Sequence, residues 1–81
     1  MKFLPPLGVH KVRNEKLLRR FAKNLKKARE KRNMTQEDLA EKADIALSQV
    51  ARIETGRLNT SISTVYAILV ALKADASELF E

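Results

Sequence analysis

TQEDLAEKADIALSQVARIETG, residues 35–56, predicts two short helices joined by a tight turn. Thr35 is a favourable N-cap, because its hydroxyl can accept a hydrogen bond from an otherwise unpaired amide of the first turn. Asp38 follows at the position from which a side chain can reach back to the cap, in a variant of the capping box. The apolar positions of both halves repeat at helical spacing, which predicts one buried face. These positions are Leu39, Ala40, Ala43, Ile45, Val50 and Ile53.

The opposite face of the second predicted helix is polar. It presents Ser48, Gln49, Arg52 and Thr55, and it stops at Gly56, a residue suited to a left-handed C-cap. One side of the unit is therefore expected to be buried in a core, and the other side is expected to stay exposed for contact with a partner.

This stretch resembles the lambda-repressor-like (Cro/repressor, or XRE) helix-turn-helix family, and the resemblance extends from about residue 18 to residue 80. It implies an all-α fold: a compact five-helix DNA-binding domain over residues 15–81, with the motif at 36–55. An irregular arm is predicted over residues 1–14, because Pro5, Pro6 and Gly8 interrupt it and no periodicity is sustained there. Two residues depart from the family pattern. Asp44 stands in the turn where Gly is usual, and Ala46 stands where Ser or Thr usually begins the second helix, which we place at about 46–55. The match rests on Thr35-Gln36-Glu37, Leu39-Ala40, Ile45, Val50, Ile53-Glu54-x-Gly56 and Ala71-Leu72.

The resemblance implies that the second helix of the motif enters the major groove of double-stranded DNA. It assigns base reading to Leu47, Ser48, Gln49 and Arg52. It assigns contacts with the DNA backbone to Gln36, Thr55, Arg57 and Asn59. Leu47 is unusual among these, because relatives often carry a polar side chain there. Stand-alone domains of this kind resemble restriction-modification controllers and small phage-type repressors.

Composition narrows the class of protein further. The 81 residues suffice for one small domain, and the lack of cysteine fits a reducing cytoplasm. No apolar run reaches the ~20 residues that cross a bilayer, so we expect no membrane partner. Residues 1–34 carry twelve Lys or Arg and two Glu, a net charge of +10, whereas residues 35–81 carry a net charge of −4. The basic half favours a nucleic-acid partner, although a solvated helix that only aids solubility is the alternative.

A long first helix is predicted from a cap at Asn14 to about Arg32. Its core stripe consists of Leu17, Phe21, Leu25 and Ala28. Arg29 lies one turn past Leu25, towards the inner face. The family resemblance implies that Arg29 pairs with Glu54. This pair would brace the first helix against the end of the second helix of the motif, which is the recognition helix of the family.

The fourth helix is expected to start near Ser63 or Thr64 and to end near Leu72, with Asp75 capping a short last helix. Its inward face is apolar, and so is its outward face, which predicts burial on both sides. In so small a domain the second burial is expected to be another subunit. The predicted homodimer interface consists of Ile62, Tyr66, Leu69, Val70 and Phe80.

Several alternatives remain open at this stage. An antitoxin that binds a toxin protein and autoregulates its operon would use the same apolar face or the arm. A purely structural helical bundle would leave the polar residues of the second helix without a role. The arm can follow a DNA groove through Lys2, Lys11 and Arg13, stay disordered, or pack on a neighbouring subunit. His10 is the only histidine and has no partner at ligand spacing, so we expect no metal, no cofactor and no enzymatic activity.

Overall fold

A computed structural model describes residues 14–57 and 59–81, in which five α-helices follow one another without a strand. They are α1 (Glu15–Lys31), α2 (Gln36–Ala43), α3 (Leu47–Ile53), α4 (Ile62–Leu72) and α5 (Ala76–Phe80). The all-α, five-helix prediction is confirmed. The predictions for the N-terminal arm, including Lys2, His10, Lys11 and Arg13, concern residues outside the described ranges. None of the described helices is both long enough and apolar enough to cross a membrane.

Capping side chains set the start of three helices. The Asn14 side chain accepts a hydrogen bond from the Leu17 amide at 3.0 Å and begins α1. Thr35 and Asp38 form the predicted capping box at the start of α2, with reciprocal bonds of 3.0 and 2.9 Å. Ser61 accepts from the Thr64 amide at 3.2 Å, so α4 begins at Ile62. The predicted start near Ser63 or Thr64 was therefore too late, because the cap lies at Ser61.

The turn of the motif is closed at Asp44, which adopts the left-handed conformation with φ 57°. The amides of Asp44 and Ile45 donate to the carbonyls of Glu41 and Ala40 at 3.2 and 3.0 Å. Asn33 and Lys73 adopt the same left-handed conformation after α1 and α4. Asp44 thus fills the place of the usual glycine.

Helix α3 is shorter than predicted. It begins after Ala46, which occupies the N-cap without a side-chain hydrogen bond, and it ends at Ile53 rather than at residue 55. The amides of Thr55 and Gly56 instead bond to the carbonyls three residues before them, at 3.2 and 3.0 Å. This tightening turns the chain into the left-handed Gly56, with φ 80°.

The close approach of α1 also favours glycine at position 56. A Cβ at this position would lie 3.3 Å from both the Cα and the Cγ of Arg19. Because one of these is a backbone atom of a helix, only a residue without a side chain fits here without a shift of α1 against the turn.

The core is built from all five helices. Its largest fully buried side chains are Leu25, Leu39, Val50, Ile68 and Leu79, one from each helix. Burial of each such side chain contributes roughly 1.5–3 kcal/mol. Asp75 occupies the N-cap of α5 but makes no side-chain cap bond, and α5 packs on the core through Leu79 and Phe80.

Candidate nucleic-acid interface

The outer face of α3 carries three of the four predicted base-reading residues. Leu47, Ser48 and Arg52 are exposed, while Val50 and Ile53 on the other side are buried. The core therefore fixes the rotation of α3 and leaves an exposed strip that combines an apolar, a hydroxyl and a guanidinium side chain.

Gln49, the fourth predicted base-reading residue, is placed differently. It is half-buried, and its Nε2 donates to Thr64 Oγ1 of α4 at 3.4 Å. The side chain therefore lies between α3 and α4, away from the strip formed by the other three. A contact between Gln49 and a base would require this long hydrogen bond to be exchanged.

Arg29 and Glu54 form the predicted ion pair, and its geometry is bidentate. Nε and Nη2 of Arg29 donate to the two carboxylate oxygens of Glu54 at 2.7 and 2.9 Å. Nη1 donates to the Met34 carbonyl at 2.8 Å. The hydrogen bonds with Glu54 raise the pKa of Arg29 above its usual value, and this outweighs the opposing effect of burial. The pair joins α1 to the residue that follows α3.

Gln36 belongs to the same network. Its Nε2 donates to Glu54 Oε1 at 2.9 Å, so the carboxylate accepts from both α1 and α2. Gln36 was predicted to hold a phosphate, and the structure gives its amide a protein partner at the base of α3. The sequence patterns did not indicate this bond.

The predicted backbone-contacting residues after α3 lie on the surface. Thr55, Arg57 and Asn59 are exposed. Thr55 Oγ1 donates to the Arg52 carbonyl at 2.5 Å and accepts from the Arg57 amide at 3.3 Å. The Thr55 hydroxyl therefore orders the turn that carries Arg57 next to the α3 strip.

A second surface lies on α4, away from this strip. The side chains of Ile62, Tyr66 and Val70 recur every four residues, and these residues are 85%, 69% and 56% exposed. The other two predicted interface residues are more involved in their own chain. Leu69 is half-buried against the core, and Phe80 packs its ring on Phe21 with centroids 5.1 Å apart.

The ion pair between Arg32 and Glu78 was not predicted from the sequence. Arg32 donates through Nη1 and Nη2 to the carboxylate of Glu78 at 2.8 and 3.0 Å, and through Nε to the Leu72 carbonyl at 2.7 Å. The guanidinium of Arg32 lowers the pKa of Glu78 below its usual value. The pair fastens α1 to the end of α4 and to α5. Its only sequence signal is a Glu in the first turn of a predicted helix, which does not identify a partner.

Comparisons with known proteins agree with this architecture. A family model described as helix-turn-helix matches residues 25–79. The restriction-modification controller protein C.AhdI from Aeromonas hydrophila is 30% identical, with a TM-score of 0.75 over 78% of this chain and 96% of that one. The controller protein C.Esp1396I is 31% identical, with a TM-score of 0.73 over 79% and 83% of the two chains.

A curated relative gives the same assignment. The immunity repressor protein of Bacillus phage phi105 is 42% identical over 55 residues, which are 68% of this chain. The chain spans 38% of the length of that repressor. The family match covers most of the chain, and the solved relatives share its helical arrangement. The chain belongs to the lambda-repressor-like (Cro/repressor, XRE) helix-turn-helix family of DNA-binding regulators.

Proposed function

We propose that the protein is a sequence-specific transcriptional regulator that binds double-stranded DNA as a homodimer, with α3 in the major groove. The observation that carries the proposal is the exposed α3 strip, Leu47, Ser48 and Arg52, held on a buried ion pair between Arg29 and Glu54. A helix that reads bases must keep its orientation when it meets DNA, and this bidentate bond fixes one end of α3. The relatives are named as a phage immunity repressor and two restriction-modification controllers. These names support a role in the regulation of transcription.

The α3 strip supplies the side chains that are expected to contact the bases. Arg52 can donate two hydrogen bonds to a guanine, Ser48 can serve several bases, and Leu47 can pack on a thymine methyl group. Gln49 joins them only by releasing Thr64. We therefore expect Arg52 to dominate specificity.

The surrounding residues position the duplex without reading its sequence. Arg57 and Asn59 follow the turn after α3, beside the exposed Thr55. Gln36 lies at the start of α2, where the helix dipole and free amides attract a phosphate. Because its side chain also donates to Glu54, a phosphate held there would be coupled to the α3 support.

The dimer is proposed to form through the face of α4 that carries Ile62, Tyr66 and Val70. A contiguous patch of three large, exposed apolar side chains on a small domain is typical of a protein–protein interface. Apposing these faces from two copies would bury all three side chains and give two recognition helices. Such a dimer is expected to prefer inverted half-sites about 10 bp apart, one turn of the duplex.

Site selection from random duplexes, followed by Arg52→Ala and Arg57→Ala, tests the DNA-binding proposal. Arg52→Ala is expected to lose ~1–3 kcal/mol on the selected site and to relax the preference at one base pair. Arg57→Ala is expected to weaken all sequences alike and to reduce the salt slope by about one unit. Uniform losses from both variants on every sequence would make Arg52 a backbone contact and would contradict its reading role.

Sedimentation tests the dimer. Tyr66→Glu combined with Val70→Glu is expected to give a folded monomer that binds one half-site weakly. Ala76→Glu combined with Ser77→Glu adds the same charge at exposed positions of α5, outside the apolar face of α4, and should leave the dimer intact. A monomeric wild type at high micromolar concentration would contradict the homodimer. The apolar face would then be available to a different chain, as the antitoxin alternative requires, and co-purification of a second small protein would support that alternative.

A further inference from the structure

The two edges of α1 differ in the acceptors that the other helices bring beside them. The edge that faces α5 carries Arg20, Lys27 and Lys31. Arg20 Nη1 donates to the Phe80 carbonyl at 3.5 Å, and Lys31 lies 3.9 Å from the Glu78 carboxylate. This edge therefore has acceptors supplied by the chain itself.

The other edge of α1 runs beside the end of α3 and carries Arg19, Lys23 and Lys26, all exposed. Within residues 14–57 and 59–81, none of the three forms an ion pair. Glu54, the acidic residue at the end of α3, is occupied by Arg29 and Gln36. Glu15 and Glu30 lie on the same edge, four residues from Arg19 and from Lys26, but neither forms an ion pair with these two cations. Like charges three and four residues apart on a helix destabilise it, so Arg19, Lys23 and Lys26 favour an anionic partner from outside the chain.

The position of this edge indicates which anion it meets. Arg19 packs against Gly56, the residue immediately before Arg57. Lys26 lies two helical turns further along the same side, one turn before Arg29, which holds Glu54. The edge thus continues the surface formed by α3 and by the turn that follows it.

We propose that Arg19 and Lys26 bind phosphates of the same duplex that α3 enters, beyond those held by the motif. This inference rests on the proposed function and adds an electrostatic contact surface on α1. Side chains of this length can keep their stems on the protein while their charged ends reach towards the DNA backbone. The contacts carry no sequence information, so they add affinity on all sequences equally.

A matched pair of double variants tests the proposal. Arg19→Gln with Lys26→Gln removes two charges from the α3 edge, and Arg20→Gln with Lys27→Gln removes the same two charges one residue further along. Affinity is measured against salt concentration on the selected site and on a random duplex. The first variant is expected to reduce the slope by about 1.8 units on both duplexes, at about 0.9 per phosphate. The second is expected to change the slope by less than about half a unit.

Two further measurements separate charge from structure. Arg19→Lys with Lys26→Arg keeps both charges and should retain the wild-type slope, whereas a role in packing alone would not be restored by charge. Thermal melts of all variants establish that each is folded. Equal slope changes from the two glutamine pairs would assign the effect to net charge and overturn the inference. An unchanged slope for the first pair, with normal wild-type binding, would overturn it as well. A wild type that selects no sequence and binds no duplex would instead refute the proposed function.

Discussion

Arg29 and Arg32 stand one turn apart at the end of α1, and each holds a glutamate with two hydrogen bonds. Arg29 reaches Glu54 at 2.7 and 2.9 Å, and Arg32 reaches Glu78 at 2.8 and 3.0 Å. Each arginine also donates to a backbone carbonyl that ends a neighbouring segment, of Met34 and of Leu72. The chemistry of the two pairs is therefore nearly the same.

Their surroundings differ. The side chains of Arg29 and Glu54 are 9% and 4% exposed, whereas those of Arg32 and Glu78 are 25% and 29% exposed. A charge stranded by loss of its partner cannot be hydrated in the first site and can be hydrated in the second. Burial, and not bond length, should therefore decide what each pair contributes to stability.

The two pairs also hold different working parts of the molecule. Arg29 fixes the start of α2 and the end of α3, the elements proposed to meet DNA. Arg32 fixes the end of α4 and α5, next to the face proposed to form the dimer. Damage to one pair should loosen one surface and leave the other largely in place.

The largest effect is expected at Glu54. Glu54→Ala would strand Arg29 in a buried site and should cost ~3–5 kcal/mol of unfolding free energy. Glu54→Gln keeps the shape and some of the hydrogen bonds, so it should cost less. Chemical denaturation of the two variants measures this difference. Near-zero losses for both would show that water reaches the site and that burial does not distinguish the pairs.

A smaller effect is expected at Arg32. Arg32→Ala removes bonds to Glu78 and to the Leu72 carbonyl, but both acceptors can be hydrated, so the loss should be about 1–2 kcal/mol. Hydrogen exchange should quicken in α5 and at the end of α4, while α3 keeps its protection. Arg32→Lys is the control that retains charge without the planar fork. Equal loosening of α3 would show that the pairs do not act on separate regions.

The smallest expected effect is a change of folding stability with pH. Arg32 lowers the pKa of Glu78 from its ordinary value of 4.5, so the stabilisation is present above that value and is lost as the pH falls through the lowered pKa. The stability difference between wild type and Glu78→Gln should therefore be largest at neutral pH and should shrink below about pH 4.5. Melts from pH 7 to pH 3 measure it. In an Arg32→Ala background, Glu78→Gln should give a much smaller dependence of stability on pH, the remainder coming from Lys31, which lies 3.9 Å from the carboxylate. An undiminished dependence in that background would assign the effect to another group.

Interactions between residues three or four positions apart could be predicted from the sequence. The capping box of Thr35 and Asp38 and the inward stripe of α1 depend on spacings of three or four residues. A helix repeats those spacings wherever it lies. The pairing of Arg29 with Glu54 is a long-range contact, and it was predicted only because the whole motif resembles a known family.

The tertiary structure decided the contacts between helices that no local spacing fixes. The angle at which α5 returns to α1, after the left-handed Lys73, brings Glu78 to Arg32 and Phe80 to Phe21. The rotation of α3 on its buried Val50 and Ile53 turns Gln49 to Thr64 and leaves Ser48 and Arg52 outside. The sequence determined which residues form helices and which faces are apolar, because those follow from neighbours along the chain. The partner of each polar side chain was decided by helix packing, because a long side chain can reach several acceptors and only the packed core selects one.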